Sequence, residues 1–344
     1  MRPAQAGLTA FPKPRDWPCT PRPVKMEPVA PQLTGTRVVF MGSPEFAVPS
    51  LRALSSAGAV IAAAVSQPDR PAGRGGRVQA PPVKLAALEL GIDVLQPETL
   101  RDPGVQEQLL AMDAEVFVVA AYGKILPQPV LDIPRRGCLN VHASLLPRWR
   151  GASPITAAIL AGDTVTGVSI MELVRKMDAG PVISSVETPI LPEDTTGTLE
   201  PRLAALGAAE LVRVLPGWLS GEIAAVPQDE GAATYCHLIS KSEGHLAASM
   251  TAEEAERAVR AHNPWPGASV SYRSERLAVW RARVEAAGSS APGVTAVVAR
   301  CPAIALGGGW LVLEEVQRPG GKRLTGEQFL AGERGTLEPM VGLA

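Results

Sequence analysis

The sequence predicts an α/β protein in which a parallel sheet, covered on both faces, is followed by a smaller β-barrel. Continuous apolar runs alternate with helical patterns between residues 37 and 219 of the 344, which is typical of buried parallel strands. Beyond residue 264, short apolar segments recur with turn signals between them, as in small barrels. A domain takes about 100–200 residues, so this length favours two domains.

The elements of the first domain follow one another along the chain. A short apolar strand ends at Gly42, where a tight turn leads towards the next pattern. The predicted elements are strands at 37–41, 59–66, 92–95, 116–121 and 137–142, a helix at 82–90, a strand pair at 167–173 and 182–190, and a long helix at 195–219. This order places the first domain at residues 36–222.

The flanking regions have a different composition. Residues 1–35 are rich in proline and lack periodicity, which predicts a disordered N-terminal extension. Pro227, Asp229 and Gly231 mark a linker, placed at 223–243. Thr251 and Glu254 form a capping box and predict a helix at 251–261. The C-terminal domain, at 244–344, has predicted strands at 268–272, 277–281, 294–299 and 310–316.

Composition excludes several classes of protein. Lys and Arg number 33 against 34 Asp and Glu, so the chain is not a uniformly basic nucleic-acid binder, although a local basic patch stays possible. The 4 cysteines form no CxxC pair, which fits a reducing, cytoplasmic setting. No uncharged apolar run reaches the ~20 residues that span a bilayer, so no membrane is expected. The 4 histidines have no pair at helical ligand spacing, and we therefore expect no metal.

Two nucleotide-binding motifs are incomplete. A dinucleotide fingerprint needs three glycines after the first strand, but the turn has only Gly42, and Glu45 would repel phosphate. The glycine-rich residues 73–77 lack the Lys-Ser/Thr ending of a Walker loop. The turn at Gly42 is therefore interpreted as a strand-to-helix turn, of a kind that also lines clefts at strand ends.

The densest chemistry lies in the predicted strand at 137–142 and the segment that follows it. Asn140 and His142 alternate with Leu139 and Val141, so the two polar side chains share one face, ~6.6 Å apart along the strand. An unsatisfied buried polar group costs ~1–3 kcal/mol, so both side chains need partners, which a substrate pocket supplies. Cys138 is four residues from His142, ~13 Å on an extended strand, which is too far for a Cys–His pair.

The residue types suggest a reaction. An Asn amide can stabilise a developing oxyanion, and His transfers protons near neutral pH. Asp178, in a loop after a later strand, is the nearest carboxylate downstream that could orient His142. This set suits direct attack by a substrate nucleophile on a carbonyl. A satisfied polar cluster at a sheet edge is the other interpretation, and the Asn-x-His pattern alone does not separate the two.

Two stretches are locally basic. Residues 68–84 carry Arg70, Arg74, Arg77 and Lys84 against Asp69, a net charge of +3. Residues 134–150 add four arginines and no acid, and both stretches are expected to edge one cleft at the strand ends. Such a field suits phosphate binding, while a solvated mobile loop is the alternative interpretation of the first stretch.

Several motifs together resemble the formyltetrahydrofolate-dependent formyltransferases. The resemblance is carried by N-V-H-A-S-L-L-P-R-W-R-G-A-S-P from Asn140, by M-D-A-G-P from Met177, and by Q-P-D-R-P-A-G-R-G from Gln67. F-M-G-S-P-E-F from Phe40, A-Y-G-K-I-L-P from Ala121 and R-A-H-N-P-W-P-G from Arg260 extend it. It covers about residues 36 to 330, so the resemblance as a whole is far more specific than a match to any single motif.

The resemblance implies a Rossmann-like parallel-sheet formyltransferase domain with a smaller C-terminal OB-like β-barrel. It also implies transfer of the formyl group of 10-formyltetrahydrofolate to the α-amine of methionyl initiator tRNA, giving formylmethionyl-tRNA for translation initiation. Asn140 would then hold the formyl oxygen, His142 would transfer the proton, and Asp178 would orient or tune His142.

The same resemblance implies the substrate-binding residues. Tetrahydrofolate would contact Ser144, Leu145, Leu146 and Pro147. The tRNA would contact Arg70, Arg74 and Arg77, with Arg74 at the position of the family's key arginine. Further candidates for tRNA lie on the C-terminal domain, namely Arg273, Arg281, Arg283, Arg318, Lys322 and Arg323.

The alternatives are an N-formyltransferase acting on a sugar nucleotide or other small amine, and a folate- or RNA-binding protein without turnover. A metal hydrolase ranks third, because it would need a ligand set that the sequence does not show. The basic glycine-rich loop and the N-P-W-P-G segment favour tRNA. The protein is expected to be a cytoplasmic monomer.

Overall fold

The computed structural model describes residues 33–72, 77–286, 291–333 and 337–340. Leu33 is buried, and its backbone N–H donates to the carbonyl of Ala57 at 3.1 Å. Leu33, which lies inside the predicted N-terminal extension, therefore packs against the first domain. Residues 1–32 of that extension lie outside the described residues.

The described strands and helices alternate over residues 37–220, and strands predominate after residue 268. The strands are β1 Arg37–Gly42, β2 Val60–Val65, β3 Arg70–Ala72, β4 Arg77–Gln79, β5 Val94–Leu95, β6 Val116–Ala120, β7 Cys138–His142, β8 Arg150–Gly151, β9 Val165–Glu172, β10 Val182–Pro189, β11 Tyr235–Cys236, β12 Ala268–Tyr272, β13 Glu275–Ala286, β14 Thr295–Val298, β15 Cys301–Leu306, β16 Gly309–Gln317 and β17 Arg323–Thr325. The helices are α1 Val48–Ser56, α2 Pro82–Glu89, α3 Pro103–Ala111, α4 Gln128–Leu131, α5 Pro154–Ala161, α6 Thr196–Ser220, α7 Ala252–Ala261 and α8 Gly326–Gly332.

The main sheet has seven described strands in the order β10-β9-β7-β6-β1-β2-β5. The five strands from β7 to β5 are parallel, which confirms the predicted parallel sheet. The predicted strand pair forms β9 and β10, and β9 runs antiparallel to both β7 and β10. The strand order reverses between β1 and β6, so a crevice opens at their carboxyl ends, where open α/β sheets bind ligands.

Successive residues of the central strands pack on opposite faces of the sheet. In β1, Val38 and Phe40 join the core that includes α1 and α6, while Val39 and Met41 join the core that includes α3. Alternation of side chains along a strand explains this division. The continuous apolar runs of the sequence therefore correspond to strands that are buried on both faces.

Helix α6 covers the sheet with an apolar face that includes Leu203 and Leu211, both fully buried. By length and composition it could also cross a membrane, but it is a core helix of the α/β sheet. Gly207 lies where α6 approaches the strands most closely. A Cβ atom there would lie 2.7 Å from Cγ1 of Val141 and 3.0 Å from Cγ1 of Val168, so any side chain at this position would force the helix or the strands to shift.

The C-terminal part forms an antiparallel sheet in the order β12-β13-β16-β15-β14, with β17 paired to β16. Helices α7 and α8 pack against it, and Tyr272 and Phe329 meet edge to face with ring centroids 5.5 Å apart. The predicted strand at 277–281 lies in the first part of the longer β13, and β15 is absent from the sequence prediction. The strand ladders of the described residues leave the sheet unclosed, so the closed barrel stays a prediction.

The two sheet systems are joined by side-chain contacts to backbone carbonyls. Nε of Arg257 donates to the carbonyl of Leu160 at 3.0 Å, and Arg260 donates to the carbonyl of Asp194 at 3.2 Å. The hydroxyl of Thr196 donates to the carbonyl of Ala261 at 2.6 Å. Helix α7 is therefore attached to α5 and to the start of α6.

Candidate active site

Strand β7 presents Asn140 and His142 on one face, as the alternation predicted. Leu139 and Val141 point to the other face and are buried in the core under α6. Asn140 is half-buried, and its side chain makes no hydrogen bond to any other residue that the structure describes. The amide is therefore available to a substrate.

His142 is held at the carboxyl end of β7 by a backbone carbonyl. Its side chain is 6 % exposed, and Nε2 lies 3.0 Å from the carbonyl oxygen of Trp149. A carbonyl oxygen only accepts hydrogen bonds, so Nε2 carries the proton. In the neutral ring Nδ1 is then the nitrogen with a lone pair, which makes it the proton-accepting atom.

Asp178 is placed opposite this nitrogen, as the sequence proposed. Its Oδ2 lies 3.9 Å from Nδ1 of His142, which is longer than a hydrogen bond but within ion-pair distance. The same oxygen accepts a 2.8 Å hydrogen bond from the backbone N–H of Gly151. The ring of His142 is thus oriented by Trp149, while Asp178 faces the nitrogen that would become charged.

Gly151 brings its backbone close to two other segments. Strand β8, which contains Gly151, pairs in parallel with β11, which lies within the predicted linker. Gly151 has φ of +120°, and a Cβ atom there would lie 2.0 Å from the carbonyl oxygen of Cys236. Only glycine allows this approach, and the approach aims the Gly151 N–H at Asp178.

The region predicted as a linker contributes directly to the site, which the sequence prediction missed. Nε2 of Gln228 donates to the carbonyls of Asp178 and Gly180, at 2.8 and 2.6 Å. Oε1 of Gln228 accepts from Nε and Nη2 of Arg150, at 3.0 and 2.9 Å. No periodicity or motif marks Gln228 in the sequence, because its partners are distant along the chain.

Arg150 is fully buried although it carries a charge. Its Nη2 lies 2.9 Å from Oε1 of Glu230, and its guanidinium lies over the ring of Tyr235, 5.9 Å from the centroid. Hydrogen bonds from Arg150 and from Lys176 lower the pKa of Glu230 to about 2. Burial of an arginine requires such partners. Arg150 therefore has a structural role and is not free to bind a phosphate.

The segment predicted to contact folate turns directly after His142. The hydroxyl of Ser144 donates to the carbonyl of Arg148 at 2.6 Å, and Ser169 donates to the carbonyl of Ser144 at 2.8 Å. The N–H of Leu146 donates to the hydroxyl of Ser169 at 3.0 Å, and the bond from Leu146 to Pro147 is cis. These bonds place the segment beside the polar end of β7.

The basic loop forms a hairpin, with β3 paired antiparallel to β4. Arg70 is exposed at the start of β3. Arg77 begins β4, but its side chain and the whole of Arg74 lie outside the described residues. The structure therefore shows the two strands of the hairpin, after β2 in the chain, and leaves the roles of Arg74 and Arg77 untested.

Hydrogen bonds among three polar side chains stabilise the base of this hairpin. Nζ of Lys84 donates to Asp69 at 2.7 Å and to Gln96 at 2.8 Å, and Gln96 also donates to Asp69 at 2.7 Å. The hydrogen bonds from Gln96 and Lys84 lower the pKa of Asp69. Lys84, counted among the basic residues of the loop, is therefore paired with a carboxylate.

The basic stretch at 134–150 does not edge one cleft, which corrects the prediction. Arg135 and Arg136 precede β7 and lie at the opposite end of that strand from His142. Arg148 pairs with Asp163 through two hydrogen bonds of 3.0 and 2.5 Å. With Arg150 buried, no phosphate-binding field is formed by these four residues together.

The candidate arginines of the C-terminal domain are mostly paired with glutamates. The pairs are Arg273 with Glu333 and Glu338, Arg281 with Glu314, Arg283 with Glu285 and Glu314, Arg318 with Glu333, and Arg323 with Glu315. Residues 244–344 carry eleven Lys and Arg against ten Glu, a net charge of +1. The surface is therefore far less basic than six candidates suggest.

Nucleophilic and metal chemistry have weak support in this site. Cys138 is buried, and desolvation raises the pKa of its thiol to about 12, so it stays protonated. Among the described residues, no group of three or more His, Cys, Asp or Glu is placed to hold a metal ion. The arrangement instead provides an amide donor, a proton-accepting imidazole and a carboxylate around an open strand end.

An amide, an imidazole and a carboxylate at the end of a Rossmann-like sheet are groups that suit a group transferase of the acyl-transfer type. Residues 36–215 match the formyl transferase family, and residues 238–334 match the formyl transferase C-terminal domain. The chain belongs to the formyl transferase family.

Individual relatives span nearly the whole of both chains. A methionyl-tRNA formyltransferase of Methylococcus capsulatus is 46% identical over 295 residues, which are 86% of this chain and 96% of that protein. A methionyl-tRNA formyltransferase of Aromatoleum aromaticum is 48% identical over 298 residues, covering 86% and 94%.

Solved structures share the fold at low sequence identity. An N-formyltransferase from Helicobacter canadensis, in complex with folinic acid and dTDP-3-aminofucose, is 15% identical, with a TM-score of 0.61, and 81% of this chain and 99% of that chain are covered. HypX from Aquifex aeolicus in complex with tetrahydrofolic acid is 15% identical with a TM-score of 0.55, covering 86% and 47%.

Proposed function

We propose that this chain transfers the formyl group of 10-formyltetrahydrofolate to the α-amine of methionyl initiator tRNA, giving formylmethionyl-tRNA. The observation that carries the proposal is the set of relatives named methionyl-tRNA formyltransferase, 46–48% identical over both domains. The open end of β7 supports it, because Asn140 and His142 face the same cleft beside Asp178.

The reaction begins when the α-amine attacks the formyl carbon. Asn140 donates a hydrogen bond to the oxygen that becomes negative in the tetrahedral intermediate. Nδ1 of His142 accepts the proton that the attacking amine loses, and Asp178 stabilises the imidazolium. The bond from the formyl carbon to the tetrahydrofolate nitrogen then breaks, and that nitrogen leaves with the proton that His142 returns.

The substrates would lie on two sides of these residues. Ser144, Leu145, Leu146 and Pro147 are proposed to contact the folate, because the turn that they form adjoins His142. Arg70, Arg74 and Arg77 are proposed to contact tRNA phosphates from the hairpin of β3 and β4. We further propose a monomer that acts in the cytoplasm, with no membrane partner.

The domain division is also a proposal. Residues 36–222 form the catalytic domain, 223–243 the linker and 244–344 the tRNA-binding domain, preceded by an N-terminal extension. The two family matches, at 36–215 and 238–334, support this division. The linker is more than a connection, because Gln228 and β11 contact the site.

Formylation assays with the purified chain and 10-formyltetrahydrofolate test the function. We expect formylation of methionyl initiator tRNA and none of the uncharged tRNA, which lacks the amine. An aminated sugar nucleotide serves as the competing acceptor, because the Helicobacter canadensis N-formyltransferase, which shares the fold, was solved in complex with one. Formylation of the amino sugar without formylation of methionyl-tRNA would overturn the proposal.

A further inference from the structure

We propose that Gln228 is a positioning residue for formyl transfer, holding the loop of Asp178 in place, and that Arg150 in turn holds Gln228. The inference rests on the proposed function, because it gives Asp178 a role in the reaction. Among the described residues, neither side chain has a hydrogen bond to Asn140 or His142, and Gln228 reaches the site through the backbone of Asp178.

The loop of Asp178 needs an external support. Asp178 has φ of +46°, a left-handed conformation that costs energy for a residue with a side chain. The carbonyls of Asp178 and Gly180 both accept from the same amide nitrogen of Gln228, at 2.8 and 2.6 Å. These two bonds hold the backbone on both sides of Ala179. They therefore fix the position from which the side chain of Asp178 extends.

The orientation of the Gln228 amide is itself determined. Its nitrogen has two protons and both are donated, while its oxygen accepts twice from Arg150. A flipped amide would place its nitrogen against the guanidinium and its oxygen against two carbonyls, losing all four bonds. The amide can therefore satisfy its partners in only one orientation.

Arg150 makes this support rigid. The side chain is fully buried, and Glu230 accepts from Nη2 at 2.9 Å. Arg150 also belongs to β8, next to Gly151, whose N–H donates to the Asp178 carboxylate. The N–H of Gly151 thus holds the carboxylate of Asp178, and the side chain of Arg150 holds the Asp178 loop through Gln228. Both constraints therefore come from β8.

The consequence concerns the distance from Asp178 to His142. Oδ2 of Asp178 lies 3.9 Å from Nδ1 of His142, with no hydrogen bond to hold the two together. The spacing is therefore set by the supports of Asp178 rather than by the pair itself. A displacement of about 1 Å at a catalytic group can cost ~100-fold in rate.

The main test is Gln228→Glu, which keeps the side-chain size and the Arg150 contact but removes both donated hydrogen bonds. We expect kcat for formylation of methionyl-tRNA to fall roughly 10- to 100-fold, with KM for tRNA and for 10-formyltetrahydrofolate unchanged within about twofold. Gln106→Glu is the matched control, since Gln106, on α3, donates to the carbonyl of Leu100 at 2.9 Å. The control should keep the wild-type kcat.

A double mutant separates positioning from a general structural role. If Gln228 acts through Asp178, Gln228→Glu should not slow the Asp178→Ala enzyme further, because the group that it positions is absent. A multiplicative loss of rate in the double mutant would overturn the inference, as would a Gln228→Glu kcat within twofold of wild type.

A second variant and the activity of the wild type separate failure of the positioning role from misfolding and from failure of the proposed function. If Gln228→Glu does not fold, Gln228→Met removes the same donors without adding charge, and the same kcat loss and the same lack of additivity are expected. A wild-type chain that fails to formylate methionyl-tRNA would instead contradict the proposed function. Failure of the positioning role therefore requires an active wild type.

Discussion

The end of β7 and the surface of the C-terminal sheet both carry polar residues that the sequence marks as functional, but their surroundings differ. Asn140 makes no side-chain hydrogen bond to a described residue, and His142 has its Nδ1 facing Asp178 at 3.9 Å. On the C-terminal sheet, Arg273 and Arg281 already lie against glutamates at 3.0 and 2.8 Å. Unused hydrogen-bonding capacity distinguishes the first region from the second.

The difference has a physical origin. An open polar group on a buried strand is costly unless a ligand completes it, so its presence indicates a binding function. An exposed ion pair gains little energy, and it also competes with any phosphate that approaches the same arginine. Charged residues on a surface therefore predict binding poorly unless their partners are known.

The largest expected effect is on the open strand end. Asn140→Ala and His142→Ala should each lower kcat at least ~100-fold, because they remove the oxyanion donor and the proton acceptor. Initial rates of formyl transfer to methionyl-tRNA measure this effect. His237→Ala is the control, since its side chain is 75 % exposed. Near-normal turnover of His142→Ala would contradict the proposed mechanism.

The next effect concerns the packing that supports β7. Gly207→Ala would push a Cβ atom to 2.7 Å from Val141, a stiff residue on a buried strand. Overpacking costs about 1–3 kcal/mol, and the upper part of this range, about 2–3 kcal/mol, is expected against a stiff side chain. A gain in helix propensity of about 1 kcal/mol offsets part of this cost, so the expected net loss is about 1–2 kcal/mol. Urea unfolding measures the change.

Gly104→Ala is the matched helical control for this prediction. Its Cβ atom would meet only Oδ1 of Asp102, at 3.4 Å, so its stability should be unchanged or higher. Equal free energies of unfolding for Gly207→Ala and wild type would show that α6 can move away from the sheet.

The third prediction compares Arg74, on the hairpin loop, with a paired arginine of the C-terminal surface. If Arg74 contacts a tRNA phosphate, Arg74→Ala should raise KM for methionyl-tRNA about tenfold and leave KM for folate unchanged. The slope of log affinity against log salt should flatten by roughly one. Arg281→Ala should change KM less than twofold, because Arg281 is paired with Glu314.

Both substitutions remove one arginine, so the same titration of tRNA compares them directly. Wild-type behaviour of Arg74→Ala would support a merely solvated loop. A large effect of Arg281→Ala would show that its glutamate partner yields to tRNA, and the proposed difference between the two regions would then be wrong.

The smallest expected effect is on pH-dependent stability around the linker. The pKa of Glu230 is about 2 in the folded chain against a normal value of 4.5. A depressed pKa stabilises the fold above pH 4.5, and this contribution disappears as the pH falls towards 2. Glu230→Gln should therefore lower the melting temperature slightly at pH 7, with the difference from wild type shrinking below pH 4.5. A difference that grows on acidification would contradict the assignment.

The sequence by itself determined the sheet and the face of β7. Alternation along a strand is a local property, so Asn140 and His142 could be placed on one face without knowledge of any partner. Apolar runs separated by helical patterns likewise indicated parallel strands, because burial on both faces demands apolar residues throughout. Local periodicity was therefore sufficient for these predictions.

Tertiary structure alone decided how the site is completed. Gln228 contacts Asp178 across 50 positions and Arg150 across 78, and such pairs leave no periodic trace in a sequence. The glutamates that neutralise the C-terminal arginines are hidden from sequence reasoning for the same reason. Which side chains meet across strands depends on the path of the whole chain, whereas the direction of a side chain within one strand depends only on its neighbours.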